Sequence, residues 1–280
     1  MRLVTIQGGA GPCAALLSDG RVYDIWGDAF RRGRADDRTL EAILEGGLLH
    51  EVEAIEDDGV PVEGVTLLPP VTRPGKIICI GHNYHAHAEE GGAEAPAMPT
   101  FFAKFRNALA RPGETVKLPD WSRVDYEAEV AFVIGDRCQD VAEEDALRHV
   151  AGYTLLNDLS ARDYQFKTSQ WMPGKVFDGS APCGPALVTP DEAGPHDAIE
   201  FELTLNGEPM QHGSTADLVH SVPALVAYLS KLMTLEPGDV VSTGTPAGVG
   251  SLRDPRVWLK AADEVLIRSP QLGELSTRLA

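Results

Sequence analysis

Twelve residues constrain this chain more than any others: Val124-Asp125-Tyr126-Glu127-Ala128-Glu129-Val130-Ala131-Phe132-Val133-Ile134-Gly135. Val130, Phe132, Val133 and Ile134 are β-formers and Gly135-Asp136 ends the run, so the stretch predicts a buried strand. Side chains alternate along a strand, which sends Glu127 and Glu129 to one face with their carboxylates close together. Two neighbouring carboxylates entering an apolar strand repel and lose hydration. One then takes up a proton, or a cation sits between them. The plainer alternative is a solvated strand end with two surface acids, and a third acid nearby would decide the matter.

Asp158 is available as that third acid. It closes the apolar run Leu155-Leu156-Asn157 just as the chain turns, a position equally suited to capping a helix. Three carboxylates would hold one face of a divalent ion and leave its other positions to water or substrate. Oxygen ligands without His or Cys point to Mg²⁺, Mn²⁺ or Ca²⁺ rather than zinc.

Charge limits the partners. Asp and Glu number 42 against 24 Lys and Arg, a net charge of −18, which argues against nucleic acid or an anionic membrane. An anionic substrate therefore needs a local cation. The four cysteines, Cys13, Cys79, Cys138 and Cys183, stand far apart and form no C-x-x-C, so neither a zinc knuckle nor a disulfide framework is expected. The first residues lack the apolar run of a signal peptide, and no stretch reaches the length of a membrane span. The expected compartment is the cytoplasm.

Residues 1–70 read as a small N-terminal α/β appendage, with short strands at 2–7, 14–17 and 21–25. Asp37 is the expected cap of a helix carrying Leu40, Ile43 and Leu44, ended by Gly46-Gly47. The Pro-rich joint around Pro69-Pro70 sets the boundary, and residues 71–280 form the catalytic domain. There the pattern predicts strands at 76–81, 101–105 and 153–156 and a short helix at 143–150. A hairpin is expected about Asn206-Gly207, and a helix from Ser221 carrying Leu225, Val226, Leu229 and Leu232. Strands outnumber isolated helices, which predicts a mainly β, α+β core rather than a doubly wound sheet.

Three more stretches bear chemistry. His82, His85 and His87 crowd one polar cluster without an H-E-x-x-H. On a helix His87 and Glu90 share a face, so the glutamate would orient the ring as a general base; a polar surface turn is the alternative. Gly91-Gly92 follows as a hinge, which suits a lid. Lys175, in a loop between Pro173-Gly174 and Gly179, is either a solvated charge or an oxyanion partner. The Gly-rich run 243–250 lacks the Lys-Ser/Thr ending of a P-loop, though its amides and Thr hydroxyls could hold a carboxylate.

Taken in order, these motifs resemble one family. Gly81-x-Asn83-Tyr84, Asp125-Tyr126-Glu127-Ala128-Glu129, Asn157-Asp158-x-Ser160-Ala161-Arg162-Asp163, Gly174-Lys175-x-Phe177-Asp178, Pro237-Gly238-Asp239 and Thr243-Gly244-Thr245-Pro246-x-Gly248-Val249-Gly250 are similar to the fumarylacetoacetate hydrolase family over roughly residues 70–265. The resemblance implies a rolled mixed β-sheet core assembled as a homodimer. It implies Mg²⁺ or Mn²⁺ on Glu127, Glu129 and Asp158, and a lid base His87 with Glu90. It further implies an active-site Lys175, a substrate-contacting Gln165 and a loop residue Thr245. The implied substrates are small 2-oxo or 2,4-dioxo acids. Hydrolysis of a C–C bond in an acylpyruvate-type acid is the expected reaction, with hydroxy-diene dioate isomerisation and oxaloacetate-type decarboxylation as alternatives. A non-catalytic binding module is the alternative of another class, and the intact set of ligands, base and lysine argues against it. Specificity is expected from loops near 93–105 and 164–172.

Overall fold

The computed structural model describes residues 1–25, 38–53, 58–92, 94–120 and 122–280. Strands β1 (Arg2–Gly8), β2 (Gly11–Ser18) and β3 (Arg21–Asp24) form an antiparallel meander. Helix α1 (Leu40–Glu45) follows, then the short strands β4 (Val60–Pro61) and β5 (Leu67–Leu68). Thr39 caps α1, its side chain accepting from the Ala42 amide; the expected cap Asp37 lies outside the described residues.

The chain continues through β6 (Ile77–Gly81), α2 (His85–Glu90), β7 (Thr100–Lys104), β8 (Leu109–Ala110) and β9 (Thr115–Val116). Next come β10 (Val124–Asp125), β11 (Ala128–Ile134), β12 (Val150–Asn157), β13 (Ser160–Ala161) and α3 (Arg162–Gln165). Strand β14 (Ala181–Val188) and helix α4 (Pro190–Ala193) precede the hairpin β15 (Glu200–Leu205) and β16 (Glu208–Ser214). Helix α5 (Val222–Leu232), β17 (Val240–Ser242), β18 (Glu264–Ser269) and β19 (Gly273–Leu279) complete it.

The large mixed sheet runs β4-β3-β2-β1-β14-β12-β11-β17-β6-β7, and a second runs β16-β15-β18-β19-β9. This is the mainly β, α+β architecture that the sequence pattern predicts. Every residue of β11 and β12 is buried, because both faces of the large sheet are covered. Val130, Phe132 and Ile134 join a core with Phe201, Leu203 and Ile267 of the second sheet. Ala131 and Val133 face the other way, into a core shared with Leu40, Ile43 and Leu44 of α1. A strand buried on both faces reads as a continuous apolar run, which is the pattern of 130–134.

Three expectations change in detail. The predicted strand 124–135 is broken at Tyr126–Glu127, where side chains replace the ladder. The Tyr126 amide donates to Asp125 Oδ1 at 2.9 Å and the Glu127 amide to Asn157 Oδ1 at 3.2 Å. The helix expected at 143–150 is a 3₁₀-helix, Glu143–His149. In α5, Leu225, Val226 and Leu229 are buried, but Leu232 at the last turn is 55% exposed.

Candidate active site and its acidic floor

The β11–β12 ladder builds the floor. Ala128 lies opposite Asn157, so the residues just beyond, Glu127 and Asp158, meet at the open end of the ladder. The Asp158 amide donates to the Glu127 carbonyl at 2.9 Å. Glu129 stands one pair further in. Ligand oxygens of Glu127, Glu129 and Asp158 lie within 4.8 Å of one another, and all three side chains are buried.

Such crowding needs positive charge. Lys175 Nζ donates to Glu127 Oε2 at 2.5 Å and to Asp158 Oδ2 at 2.8 Å. Lys104 Nζ, from β7, reaches Asp158 Oδ1 at 2.6 Å. Arg162 Nη2 pairs with Glu127 Oε1 at 2.8 Å and with Asp125 Oδ2 at 2.7 Å. Burial opposes ionisation of Glu127, but Arg162 and Lys175 outweigh it and hold its carboxyl below the usual range. Glu129 goes the other way: burial first, then Asp158 and Glu127, push it well above that range. Its Oε2 accepts from the Ser242 hydroxyl and from the Gly244 amide, and no lysine or arginine pairs with it among the described residues.

The donor set fits a divalent cation. It offers three hard carboxylate oxygens, two at the start of β11 and one at the end of β12. Four carboxylates, with Asp125 included, face three cationic side chains here, so negative charge is left over at Glu129.

Helix α2 hangs from the end of β6. A Cβ on Gly81 would lie 2.2 Å from the Trp171 ring, so only glycine permits this approach. Asn83 is fully buried and fastens the helix start to the Gly-rich loop: its Nδ2 donates to the Thr243 carbonyl at 2.9 Å, and its Oδ1 accepts from the His220 amide at 2.8 Å. His87 Nδ1 and Glu90 Oε2 are 3.4 Å apart. The Gly248 amide donates to both Glu90 oxygens, at 3.0 and 3.1 Å, which ties α2 to that loop.

Two polar residues are oriented by what they already bond. Gln165 Oε1 accepts from Arg162 Nη1 at 2.9 Å; a guanidinium only donates, so the amide NH₂ is turned away from it, without a hydrogen-bond partner among the described residues. Thr245 Oγ1 donates to the Ala128 carbonyl at 2.9 Å and accepts from Gln211 Nε2 at 2.9 Å.

A cavity of about 200 Å³ stands over the floor. Glu127, Glu129, Asp158, Lys175, His87, Gln165 and Thr245 all line it, and Glu90 bonds His87 from behind. The residues nominated from the sequence are thus gathered in one place. Sequence reasoning did not nominate Lys104, Asp125 or Arg162. Asp125 has the strand parity of Glu127 and Glu129, which is the signal that points to it. Phe166 and Trp171 of the expected specificity loop 164–172 also line the cavity; Ala93, at the head of the other, lies outside the described residues.

A buried carboxylate cluster, partly balanced by lysines and an arginine and overhung by a His–Glu pair, has the chemistry of an enzyme site for a small molecule. Residues 76–280 match the family described as Fumarylacetoacetate (FAA) hydrolase C-terminal, and the chain belongs to that family, as its motifs predict. A Bos taurus relative, "Oxaloacetate tautomerase FAHD2A, mitochondrial", is 40% identical over 292 residues, 100% of this chain and 91% of its own. Among solved structures, a fumarylacetoacetate hydrolase from psychrophilic Exiguobacterium antarcticum is 31% identical at a TM-score of 0.83, covering 100% of this chain and 99% of that one. A 2-hydroxyhepta-2,4-diene-1,7-dioate isomerase from Mycobacterium marinum is 30% identical at a TM-score of 0.81, covering 100% and 98%.

Proposed function

We propose that this enzyme moves a proton between C3 and the 2-oxo oxygen of a small 2-oxo diacid, interconverting keto and enol forms as an oxaloacetate-type tautomerase. The observation that carries the reading is one oriented base, His87 on Glu90, beside a cavity of only about 200 Å³. Such a cavity suits a four-carbon acid better than an acid with a long acyl arm. The full-length likeness to a bovine protein named as an oxaloacetate tautomerase supports it.

Glu127, Glu129 and Asp158 would hold Mg²⁺ or Mn²⁺. When bound, such an ion acts as a Lewis acid toward the chelated oxygens of a 2-oxo acid. His87 takes the C3 proton while Glu90 fixes its ring, and the electron pair of the C–H bond shifts toward the 2-oxo oxygen. Lys175 and the amide of Gln165 supply donors for the charge that develops there. His87 returns the proton to that oxygen, and the enol leaves with atoms and charge balanced.

Hydrolysis of a C–C bond in an acylpyruvate, the reaction expected from the sequence, is the second reading. It is favoured by the full-chain likeness to the Exiguobacterium hydrolase. In that case His87 deprotonates water and the hydroxide attacks the distal carbonyl; the C3–C4 bond then breaks, releasing the carboxylic acid, and the departing 2-oxo acid enolate takes the proton back from His87. A cytoplasmic homodimer completes the proposal. Its four cysteines are all unpaired, and at β7, one end of the large sheet, Phe101 and the following Phe105 are exposed.

The test follows the ultraviolet absorbance of enolic oxaloacetate in Mg²⁺ buffer. Wild type should speed the interconversion, and His87→Ala should lose on the order of 10²-fold in kcat while keeping its metal. Inert behaviour toward oxaloacetate, with acylpyruvates cleaved and ¹⁸O from water entering the released acid, moves the reading to hydrolase. Release of CO₂ moves it to decarboxylase, and isomerisation of a hydroxy-diene diacid to isomerase.

A further inference from the structure

His82 is a cavity residue that floor, base and donors leave unassigned. His82 follows Gly81 at the end of β6 with φ at 53°, the left-handed region that residues with a Cβ seldom enter. Its neighbours impose this conformation. Gly81 is packed on the Trp171 ring, and Asn83 is pinned by three hydrogen bonds to the Thr243 and His220 backbone. The imidazole is thereby held against the cavity. It lies 5.8 Å from the His87 ring at an interplanar angle of 15° and 5.1 Å edge-on from Trp171. Residues forced into such conformations concentrate at functional sites.

Its polar atoms are unspent. Arg162, Lys175, His87 and Thr245 are each engaged by other groups, whereas no hydrogen bond reaches a ring nitrogen of His82 among the described residues. Depth separates the two ends of the cavity: Asp158 and Lys175 at the floor are 0% and 2% exposed, and His82 belongs to the exposed rim. A 2-oxo acid with its chelating end on the floor directs its other end to this rim. In a chain of net charge −18, a second carboxylate there needs a placed donor.

We infer that His82 selects diacids, its ring N–H donating to the substrate carboxylate remote from the acidic triad. The inference rests on the proposed reading that the triad end of the cavity receives the 2-oxo acid group, but not on which reaction follows. His82 is in this sense a specificity residue rather than a second base.

The test compares two probes by titration calorimetry on the Mg²⁺-loaded protein. One is 3,3-difluoro-oxaloacetate, which has no C3 hydrogen and cannot enolise. The other is 2-oxobutanoate, which carries a methyl where the diacid has its second carboxylate. Wild type should prefer the diacid by about fivefold or more, in line with one hydrogen bond to a charged group at a half-open site. His82→Gly removes the ring, suits the left-handed backbone and should melt no lower than wild type. It should lose that preference while its 2-oxobutanoate affinity stays within about twofold. His82→Asn, which also tolerates this backbone and retains an N–H donor, should recover most of it. An undiminished diacid preference in His82→Gly overturns the inference. So does an equal loss of both probes, which would mean that the ring only shapes the site, and so does wild type binding neither. A protein that tautomerises nothing but shows the expected pattern keeps the inference and loses the proposed reaction. One that tautomerises oxaloacetate with the preference intact in His82→Gly does the reverse.

Discussion

Glu129 and Lys104 show how single residues set the chemistry of the floor. Glu129 is buried and, among the described residues, pairs with no lysine or arginine; its carboxyl is raised by burial, Asp158 and Glu127. A proton therefore competes with a divalent ion for this side chain, and metal binding should weaken as pH falls and should release protons. Glu129→Gln removes both the ligand charge and the repulsion. Mg²⁺ affinity should drop on calorimetry, while the metal-free melting temperature stays level or rises; unchanged affinity would remove Glu129 from the ligand set. Lys104 is the opposite case. Its ammonium is 0% exposed and bound to Asp158, so Lys104→Met leaves a buried carboxylate short of a partner. Breaking one side of a buried pair costs about 3–5 kcal/mol. The expected outcome in urea melts is a clear loss of stability, with Mg²⁺ restoring more in the variant than it adds to wild type. Equal gains in both would show that Lys104 does not balance the floor. The three acids were legible because strand parity and an apolar context set them apart. The lysine was not, since Thr100–Lys104 reads as an edge strand ending in a solvated charge, and only pairing with β6 turns Phe102 and Lys104 inward.

At the scale of elements, the helices were legible where local chemistry decides. Ser221 caps α5 by accepting from the Ala224 amide, and Asn206-Gly207 turns its hairpin with both residues at positive φ. Strand β14 was not legible, although it sits at the centre of the large sheet between β1 and β12. Its sequence, Ala-Pro-Cys-Gly-Pro-Ala-Leu-Val, carries two prolines and a glycine, residues that argue against a central strand. A shift of register opposite Tyr153–Leu155 accommodates them. The place of α1 was also hidden, because its partners in β11 and β12 lie far along the chain. We propose that the boundary at residue 70 separates functions more than it separates cores. The site residues all follow it, yet Leu40, Ile43 and Leu44 share a core with Ala131, Val133 and Leu156. Ile43→Ala should accordingly cost about 2–5 kcal/mol in chemical denaturation and leave Mg²⁺ affinity unchanged. A fall in affinity matching the fall in stability would make α1 part of the site instead.

For the whole molecule, the open question of shape is what covers the β7 end of the large sheet. An edge strand presents unpaired backbone groups, and proteins usually blunt it with charge, proline or a bulge. Here β7 directs Phe102 and Lys104 inward, and Phe101 on the strand and Phe105 just past its end are 37% and 53% exposed. Phe102 in turn packs edge-on against Trp171 of the cavity wall, at 6.1 Å between ring centroids. Large apolar side chains on the edge of a strongly acidic protein are costly to leave in water, at about 1.5–3 kcal/mol for each one fully covered. A second copy of the chain, seated edge to edge, would bury both pairs. We expect sedimentation equilibrium to give a dimer for wild type. The double variant Phe101→Lys, Phe105→Lys should move it toward monomer with an unchanged circular dichroism spectrum, because the substituted side chains point away from the core. The strand also supplies Lys104 to the floor, so dissociation should raise the KM of the substrate without abolishing Mg²⁺ binding. A wild-type monomer, or a dimer indifferent to both lysines, would place the subunit contact elsewhere and leave β7 as an exposed edge.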